Sequence, residues 1–209
     1  MSTILFSVVI PTHNRGALAL RAVESVLKSK TSSMEIIVVE DQTSSAEEWL
    51  LEHIKSGNIK YFCREDGNNG ASETRNLGVE LSSGKFILFL DDDDILLPEY
   101  LEYLPEVFQT NDVSWGFCDQ ISNGKSTKIR MSNSGFLQSQ NFKKFKARLG
   151  AGFWIKRSLF REMGGLDVNL TIDEDTDLYC RLLTRGYIPY YSRMVGINYS
   201  RNDDKIRLT

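Results

Sequence analysis

The amino-acid sequence predicts an α/β fold in which a mostly parallel central sheet is flanked by helices. Short, strongly apolar segments alternate with helix-like segments through residues 7–90, which is the pattern of repeated βαβ units. The fourth segment, Phe86 to Leu90, is wholly apolar, and such continuous runs are typical of strands that are buried on both faces. With 209 residues, of which 41% are hydrophobic, the chain is long enough to form one sizeable core.

The first half of the chain contains four predicted strands and three predicted helices. The strands are expected at residues 7–10, 35–39, 59–63 and 86–90, and the helices at residues 17–30, from Ser44 onward and at residues 72–81. Acidic residues follow two of these strands, namely Glu40 and Asp41 after the second and Asp91 to Asp94 after the fourth. Because an open parallel sheet binds ligands beyond the carboxyl ends of its strands, we expect these carboxylates in the functional site.

The second half, after Pro98, has a mixed α+β pattern and is expected to be smaller. Its predicted elements are a helix to about Gln109, a strand at residues 113–118, a turn near Asn123 and Gly124, and helices at residues 156–163 and 174–185 that end at glycines. No linker separates the halves. We therefore predict a single domain over residues 1–209, composed of residues 1–98 and 99–209.

Charge is unevenly distributed along the chain. Lys and Arg total 25 against 28 Asp and Glu, and this acidic balance argues against nucleic-acid binding. The segment from Gln120 to Arg161 nevertheless contains no acid, so we expect it to contact an anionic ligand or a phosphate-bearing acceptor. Within it, cations interleaved with aromatic residues predict either peripheral membrane contact or a solvated surface; they are Lys143, Lys144, Lys146 and Arg148.

The N-terminal sequence shows no signal-peptide pattern, and no apolar run reaches the roughly 18 residues of a membrane span. These features predict a cytoplasmic protein. The three cysteines are far apart in sequence, which does not match a disulfide framework or a zinc site, and two histidines are too few for a histidine-rich metal site. The chemistry is therefore expected to depend on carboxylates.

Two clusters of acidic residues are candidates for that chemistry. The four adjacent carboxylates of Asp91 to Asp94 repel one another when all are ionised, unless a cation lies between them, and this predicts bound Mg²⁺ or Mn²⁺. The alternative is an acidic loop that caps the next turn. Glu174 to Asp177 begin a predicted helix and offer a general base. The alternative there is a purely structural role, in which the acidic side chains stabilise the N-terminal turn of the helix and Asp177 pairs with Arg181. His13 is a minor candidate for the base.

Five motifs, in their order and spacing along the chain, resemble those of the family 2 inverting glycosyltransferases. They are Ser7 to Arg15, Ile36 to Asp41, Gly70 to Gly78, Gly84 to Asp94, and Gly164 to Asp167 with Glu174 to Leu182. The resemblance covers nearly the whole chain and implies the GT-A fold of nucleotide-diphospho-sugar transferases. It implies that residues 1–98 bind the nucleotide sugar and that residues 99–209 supply the acceptor site and the base.

The resemblance also implies individual roles. Asp41 would hydrogen-bond the nucleotide base, Asp93 and Asp91 would bind the metal, Asp92 would lie near the ribose, and Asp175 would be the catalytic base. The other implied substrate contacts are Pro11, Thr12, Asn14, Arg15, Arg75, Asn76 and Glu174. The chain departs from the family pattern at Glu40, where an aspartate is usual, and at Tyr199 to Asn202, where many relatives have a histidine.

These features predict an inverting, metal-assisted glycosyltransferase of polysaccharide or cell-surface glycan synthesis. Its donor would be a nucleotide-diphospho-sugar, with a UDP-sugar favoured, and its acceptor a glycan or a lipid-linked glycan. One alternative is a sugar-1-phosphate nucleotidyltransferase, although residues 11–16 contain too few glycines to wrap a triphosphate. Another is a non-catalytic nucleotide-sugar-binding module, which would be expected to lack Asp93 or Asp175.

Overall fold

One mixed sheet of ten strands runs through the described part of the chain. The structure is a computed structural model, and it describes residues 4–31, 33–65, 70–110, 112–122, 125–126, 134–137, 149 and 152–199. The strands are β1 (Phe6–Thr12), β2 (Met34–Asp41), β3 (Lys60–Arg64), β4 (Phe86–Phe89), β5 (Ile95–Leu96), β6 (Trp115–Ser122), β7 (Lys125–Ser126), β8 (Gly135–Phe136), β9 (Trp154–Lys156) and β10 (Tyr190–Tyr199). The helices are α1 (Gly16–Leu27), α2 (Ser45–Lys55), α3 (Ala71–Glu80), α4 (Pro98–Thr110), α5 (Arg157–Glu162) and α6 (Glu174–Thr184).

The four strands predicted in the first half lie side by side in the order β3-β2-β1-β4, and all of them are parallel. Successive side chains of β1 point to opposite faces of the sheet and enter two different cores. Val8 and Ile10 belong to the core formed with α1, α2 and α4, whereas Val9 belongs to the core formed with α3, α5 and α6. The consecutive apolar residues of β1 and β4 are thus buried on both faces, as predicted, whereas Lys60 and Phe62 on the edge strand β3 are exposed.

The second half continues the same sheet with mixed strand directions. β9 is antiparallel to its neighbours β4 and β6, and β10 runs parallel to β6. Neither β9 nor β10 is predicted from the sequence. β9 has only three residues, and register shifts within β10, between Ser192 and Ile197, interrupt the alternation that marks a strand. Because Lys156 ends β9, α5 begins one residue later than predicted.

The end of the basic segment from Gln120 to Arg161 lies far from the carboxyl ends of the parallel strands. Lys156 pairs with Phe86 at the beginning of β4, and Arg157 donates to Ser82 O at 2.7 Å. Arg161 forms an ion pair with Glu80 at 3.1 Å. These three cations are therefore at the opposite edge of the sheet, contrary to the expectation that this segment contacts the anionic ligand.

Several predicted features lie outside the described residues. They are the turn at Asn123 and Gly124, the basic residues Lys143, Lys144, Lys146 and Arg148, and the segment Ser200 to Asn202. Within the described ranges, no helix combines the length and the apolar composition that crossing a bilayer requires.

Candidate active site

Acidic side chains gather where the parallel strands end. Carboxylate oxygens of Asp91, Asp93 and Asp94, just after β4, lie within 4.8 Å of one another. That spacing allows one cation to bind among them, and an all-oxygen donor set suits a hard cation such as Mg²⁺ or Mn²⁺. The buried Asp94 therefore joins the two predicted ligands, Asp91 and Asp93.

Asp92 faces a different set of partners, which come from the end of β1 and the loop after it. Thr12 Oγ1 donates to Asp92 Oδ2 at 2.8 Å, and Arg15 Nη1 donates to Asp92 Oδ1 at 3.1 Å. Burial raises the pKa of Asp92 to about 6, with a further rise from the charge of Asp93, although Thr12 and Arg15 oppose it. Thr12, Arg15 and Asp92, all predicted site residues, form one hydrogen-bonded unit.

The raised pKa of Asp92 predicts a pH-dependent stability. The pKa rises from 3.8 to about 6 on folding, so folding favours the protonated carboxyl group. Its stabilising contribution is fully present below the unfolded pKa and is lost as the pH rises through the folded pKa, a change of about 3 kcal/mol. We expect Asp92→Asn to gain stability relative to the parent protein as the pH rises from 4 to 7, roughly the interval between these two pKa values.

Urea unfolding of both proteins without divalent cations, at several pH values across this interval, measures the difference. The exposed Asp112→Asn variant serves as the matched control. A stability difference between Asp92→Asn and the parent protein that does not change with pH would contradict the assignment.

Asp41, at the end of β2, is buried with a side chain only 1% exposed. Its Oδ2 accepts a hydrogen bond from the backbone N–H of Gly70 at 3.1 Å, and Arg64 Nη1 lies 3.5 Å from Oδ1. No described group donates a hydrogen bond to Oδ1. Since a buried polar atom normally has a hydrogen-bond partner, Oδ1 is suited to receive one from a ligand.

Glu40, beside Asp41, has a structural role that explains its departure from the family pattern. Its carboxylate accepts hydrogen bonds from the backbone N–H groups of Ser45 and Ala46 at 3.0 and 2.8 Å, and from Tyr61 Oη at 2.6 Å. Burial alone would raise the pKa of Glu40, but hydrogen bonds, first from Thr43 and Tyr61, hold it below its ordinary value. The longer side chain thus satisfies the first N–H groups of α2.

Arg75, on α3, connects the aspartate loop with the start of α6. Its Nη2 donates to Asp91 Oδ1 at 2.7 Å, and its Nη1 donates to Glu174 Oε1 at 3.3 Å. The Arg75 side chain is only 10% exposed. Because Glu174 precedes Asp175, this contact brings the predicted base to the same region as the predicted metal ligands.

Asp175 lies in a cleft of about 290 Å³ that is lined by α3 and by the loop leading into α6. Its Oδ1 accepts hydrogen bonds from the backbone N–H and the hydroxyl group of Thr176 at 2.7 and 3.3 Å. One wall consists of Gly70 to Glu73, and the other of Val168 and Leu170 to Asp173. A ligand that enters this cleft can therefore contact Asp175.

Left-handed backbone conformations also concentrate in the loops around this site. The described non-glycine residues with positive φ are Asn14 (52°), Gln42 (64°), Ser44 (44°) and Asp173 (62°). Asn14 follows β1, Gln42 and Ser44 follow β2, and Asp173 precedes α6. Such conformations are uncommon and cluster at ligand-binding sites.

Asn76 makes its contacts away from the acids. Its side-chain amide donates to Leu166 O and accepts from Leu166 N, both at 2.9 Å. Gly165, with φ of 73°, lies so close that a Cβ there would be 2.8 Å from Asn76 Oδ1. Asn76 therefore joins α3 to the turn after α5, and its predicted substrate contact stays a prediction.

Comparison with known proteins identifies the family. The family model for glycosyl transferase family 2 matches residues 7–164. The chain belongs to glycosyl transferase family 2. A glycosyltransferase of Haemophilus influenzae is 30% identical over 200 residues, covering 89% of this chain and 65% of the relative. The Campylobacter jejuni GalNAc(5)-diNAcBac-PP-undecaprenol beta-1,3-glucosyltransferase is 35% identical over 100 residues, covering 47% of this chain and 32% of the relative.

The fold of this family 2 glycosyltransferase also matches solved structures. Staphylococcus aureus TarS 1-349 in complex with UDP-GlcNAc superposes with a TM-score of 0.81 at 18% identity, covering 96% of this chain and 60% of that one. The predicted GT-A fold is thereby confirmed. Family membership also favours sugar transfer over the nucleotidyl transfer considered from the sequence.

In this family 2 glycosyltransferase, most predicted site residues occupy one edge of the sheet. Pro11 is buried within β1, and Asn14 is exposed, with its backbone N–H donating to Thr43 Oγ1 at 3.2 Å. His13 Nδ1 lies 2.7 Å from Asp41 O. The sequence predicted Asp94 as part of the acidic run but not as an individual ligand, and Arg64 was not predicted. Arg64 ends β3, so the strand-end argument applied to Asp41 would also have identified it.

Proposed function

We propose that this family 2 glycosyltransferase moves a sugar from a UDP-sugar to a hydroxyl group of a glycan or lipid-linked acceptor, with inversion at the anomeric carbon. The observation that carries the proposal is the contact of Arg75 with both Asp91 and Glu174, which joins the acidic loop to the cleft containing Asp175. The UDP-GlcNAc complex of TarS supports the donor class. The undecaprenol-linked substrate named for the Campylobacter relative supports a lipid-linked acceptor and a place in cell-surface glycan synthesis.

Asp41 would recognise the nucleotide base. Its buried Oδ1, which receives no hydrogen bond from the described residues, would accept one from a base N–H such as N3–H of uracil. Gly70 holds the other carboxylate oxygen, so the orientation of Oδ1 is fixed before the donor binds. A buried acceptor of this kind discriminates against bases that present an acceptor at the same position.

The three clustered aspartates fit a divalent cation. Asp91, Asp93 and Asp94 offer oxygen donors at a spacing that one Mg²⁺ or Mn²⁺ can bridge. Such an ion would neutralise charge on the departing diphosphate. Arg75 and Arg15 hold Asp91 and Asp92 by charged hydrogen bonds, so these residues orient the loop even without the ion.

Asp175 would supply the base. Its carboxylate would accept the proton of the acceptor hydroxyl while that oxygen forms a bond to the anomeric carbon and the bond to the UDP oxygen breaks. A single displacement from the face opposite the leaving group inverts the anomeric configuration. The Thr176 hydroxyl and backbone N–H hold one oxygen of Asp175, which orients the other for proton transfer.

Donor binding tests the proposed metal site. UDP-GlcNAc with Mg²⁺ should stabilise the folded chain by about 2.7 kcal/mol at a donor concentration of a hundred times Kd. Asp93→Asn should lose most of the Mg²⁺-dependent part of this stabilisation. Thermal unfolding with and without Mg²⁺ measures it, and the exposed Asp112→Asn variant is the matched control. Equal stabilisation by the donor in the presence and absence of Mg²⁺ would contradict the metal-assisted proposal.

A transfer assay separates catalysis from a binding-only role. If UDP is released only when an acceptor is added, the result supports catalytic sugar transfer. Donor binding without any turnover, either to an acceptor or to water, would favour the non-catalytic module. The predicted cytoplasmic location and the membrane contact through Lys143, Lys144, Lys146 and Arg148 stay predictions.

A further inference from the structure

The cleft beside Asp175 has an aliphatic rim. Val168, Leu170 and Ile172 all line it, and they are 49%, 37% and 67% exposed. A single exposed aliphatic residue carries little information, but three within five residues that all line one cleft give that cleft an apolar side. At about 290 Å³, the cleft is near the lower end of small-molecule sites, which span roughly 300–1,000 Å³. It is large enough for one sugar ring.

Acidic residues form about half of the remaining lining. They are Glu73, Asp173, Glu174 and Asp175, and the other lining residues are Gly70 to Ser72 and Thr171. Among these four side chains, Glu174 pairs with Arg75, and the same guanidinium also binds Asp91. A phosphate or carboxylate group on the entering molecule would be repelled, whereas neutral hydroxyl groups could donate hydrogen bonds to the same oxygens.

On the basis of the proposed function, we infer that this cleft selects an uncharged sugar as the residue of the acceptor that receives the transferred sugar. The C–H face of the ring packs on Val168, Leu170 and Ile172, and its hydroxyl groups donate to the surrounding carboxylates. The apolar rim supplies affinity, and the acids exclude sugars that carry phosphate near the reacting hydroxyl. Any diphosphate of a lipid-linked acceptor must lie beyond this first ring. The same acids disfavour contact of the rim with an anionic lipid surface.

Methyl NMR of the full chain with Mg²⁺ and UDP tests the inference. The probes are methyl glycosides of glucose, galactose and N-acetylglucosamine, each compared with its 6-phosphate. We expect the neutral glycosides to shift the methyl signals of Val168, Leu170 and Ile172 and to leave those of Ile188, exposed outside the cleft, unchanged. The 6-phosphates should bind at least about tenfold more weakly, and the double variant Glu73→Gln, Asp173→Asn should reduce this difference to below about threefold.

Variants of the rim provide a second measurement. Ile172→Ser and Leu170→Ser should each raise the KM for a neutral acceptor about tenfold while the KM for the donor is unchanged. Ile188→Ser is the matched control and should change neither value. The inference is overturned if the 6-phosphates bind as tightly as the neutral sugars, if no neutral glycoside shifts the rim methyls, or if phosphatidylcholine vesicles shift them instead.

The same samples distinguish this failure from failure of the proposed function. If UDP and Mg²⁺ shift methyl signals near Asp41 and Asp93 but no glycoside shifts those of Val168, Leu170 and Ile172, only the acceptor subsite is contradicted. Absence of any UDP-dependent shift would contradict the donor assignment itself.

Discussion

Asp175→Asn is expected to reduce sugar transfer about a thousandfold, because general-base catalysis contributes roughly 10²–10⁴ to the rate. The amide has nearly the same size as the carboxylate and can still accept a hydrogen bond from Thr176, but it cannot take the acceptor proton. The donor should bind normally, since the donor contacts assigned to Asp41 and the aspartate loop do not involve Asp175. Acceptor-dependent UDP release, measured together with the Kd for UDP-GlcNAc and Mg²⁺, separates the two effects.

Asp177→Asn is the matched control for this substitution. Asp177 lies on the same turn of α6, and its Oδ2 accepts a hydrogen bond from Arg181 Nε at 2.8 Å. Loss of this pair should cost only about 0.3–0.5 kcal/mol and leave turnover within about twofold. Near-normal transfer by Asp175→Asn, with donor binding intact, would rule out Asp175 as the base.

Arg75→Met has the second largest expected effect, and it acts on both stability and turnover. Removing the guanidinium leaves Asp91 and Glu174 without their shared cation, and Asp91 is about one third exposed, so we expect a loss of about 2 kcal/mol. The start of α6 also loses its link to the aspartate loop. Because small displacements of a reacting group can cost about a hundredfold in rate, kcat should fall by roughly that factor.

Arg75→Lys and Arg161→Met complete the design of this experiment. Lysine restores a charge but not the two-armed geometry, so it should recover stability more than kcat. Arg161 forms an exposed pair with Glu80, and Arg161→Met should cost under about 1 kcal/mol and leave turnover unchanged. A positioning role also predicts that the kcat of Arg75→Met falls while the pKa of the base, read from the pH–rate profile, stays close to that of the parent enzyme. A loss of kcat fully explained by loss of folded protein would argue for a purely structural role.

The region of the site could be predicted from the sequence because it follows from strand ends. Asp41 and the Asp91 to Asp94 run each come after a strongly apolar segment, and parallel strands place such residues at one edge. The assignment of individual aspartates could not be predicted in the same way. The turn after β4 directs Asp92 toward Thr12 and Arg15 and leaves Asp91, Asp93 and Asp94 clustered, and this separation depends on the folded backbone.

Elements with weak local signals were also missed for a physical reason. β9 and β10 are strands because neighbouring strands pair with them, over three residues of β9 and along most of β10, and not because their own residues alternate. Tertiary pairing overrides local preference in such segments. The helices that end at glycines, in contrast, carry their own stop signals, and α6 was predicted within one residue at its end.

Local patterns were therefore sufficient for the fold class, the alternation of strands and helices, and the edge of the sheet where the acids lie. Tertiary structure decided which side chains face one another. Arg75 and Glu174 are 99 residues apart, and no periodicity in the sequence encodes their contact. The same is true of the cleft that combines an aliphatic rim with Asp175. Hydrophobic periodicity acts over a few residues, whereas a functional cleft is assembled by packing of elements that the chain brings together only once it is folded.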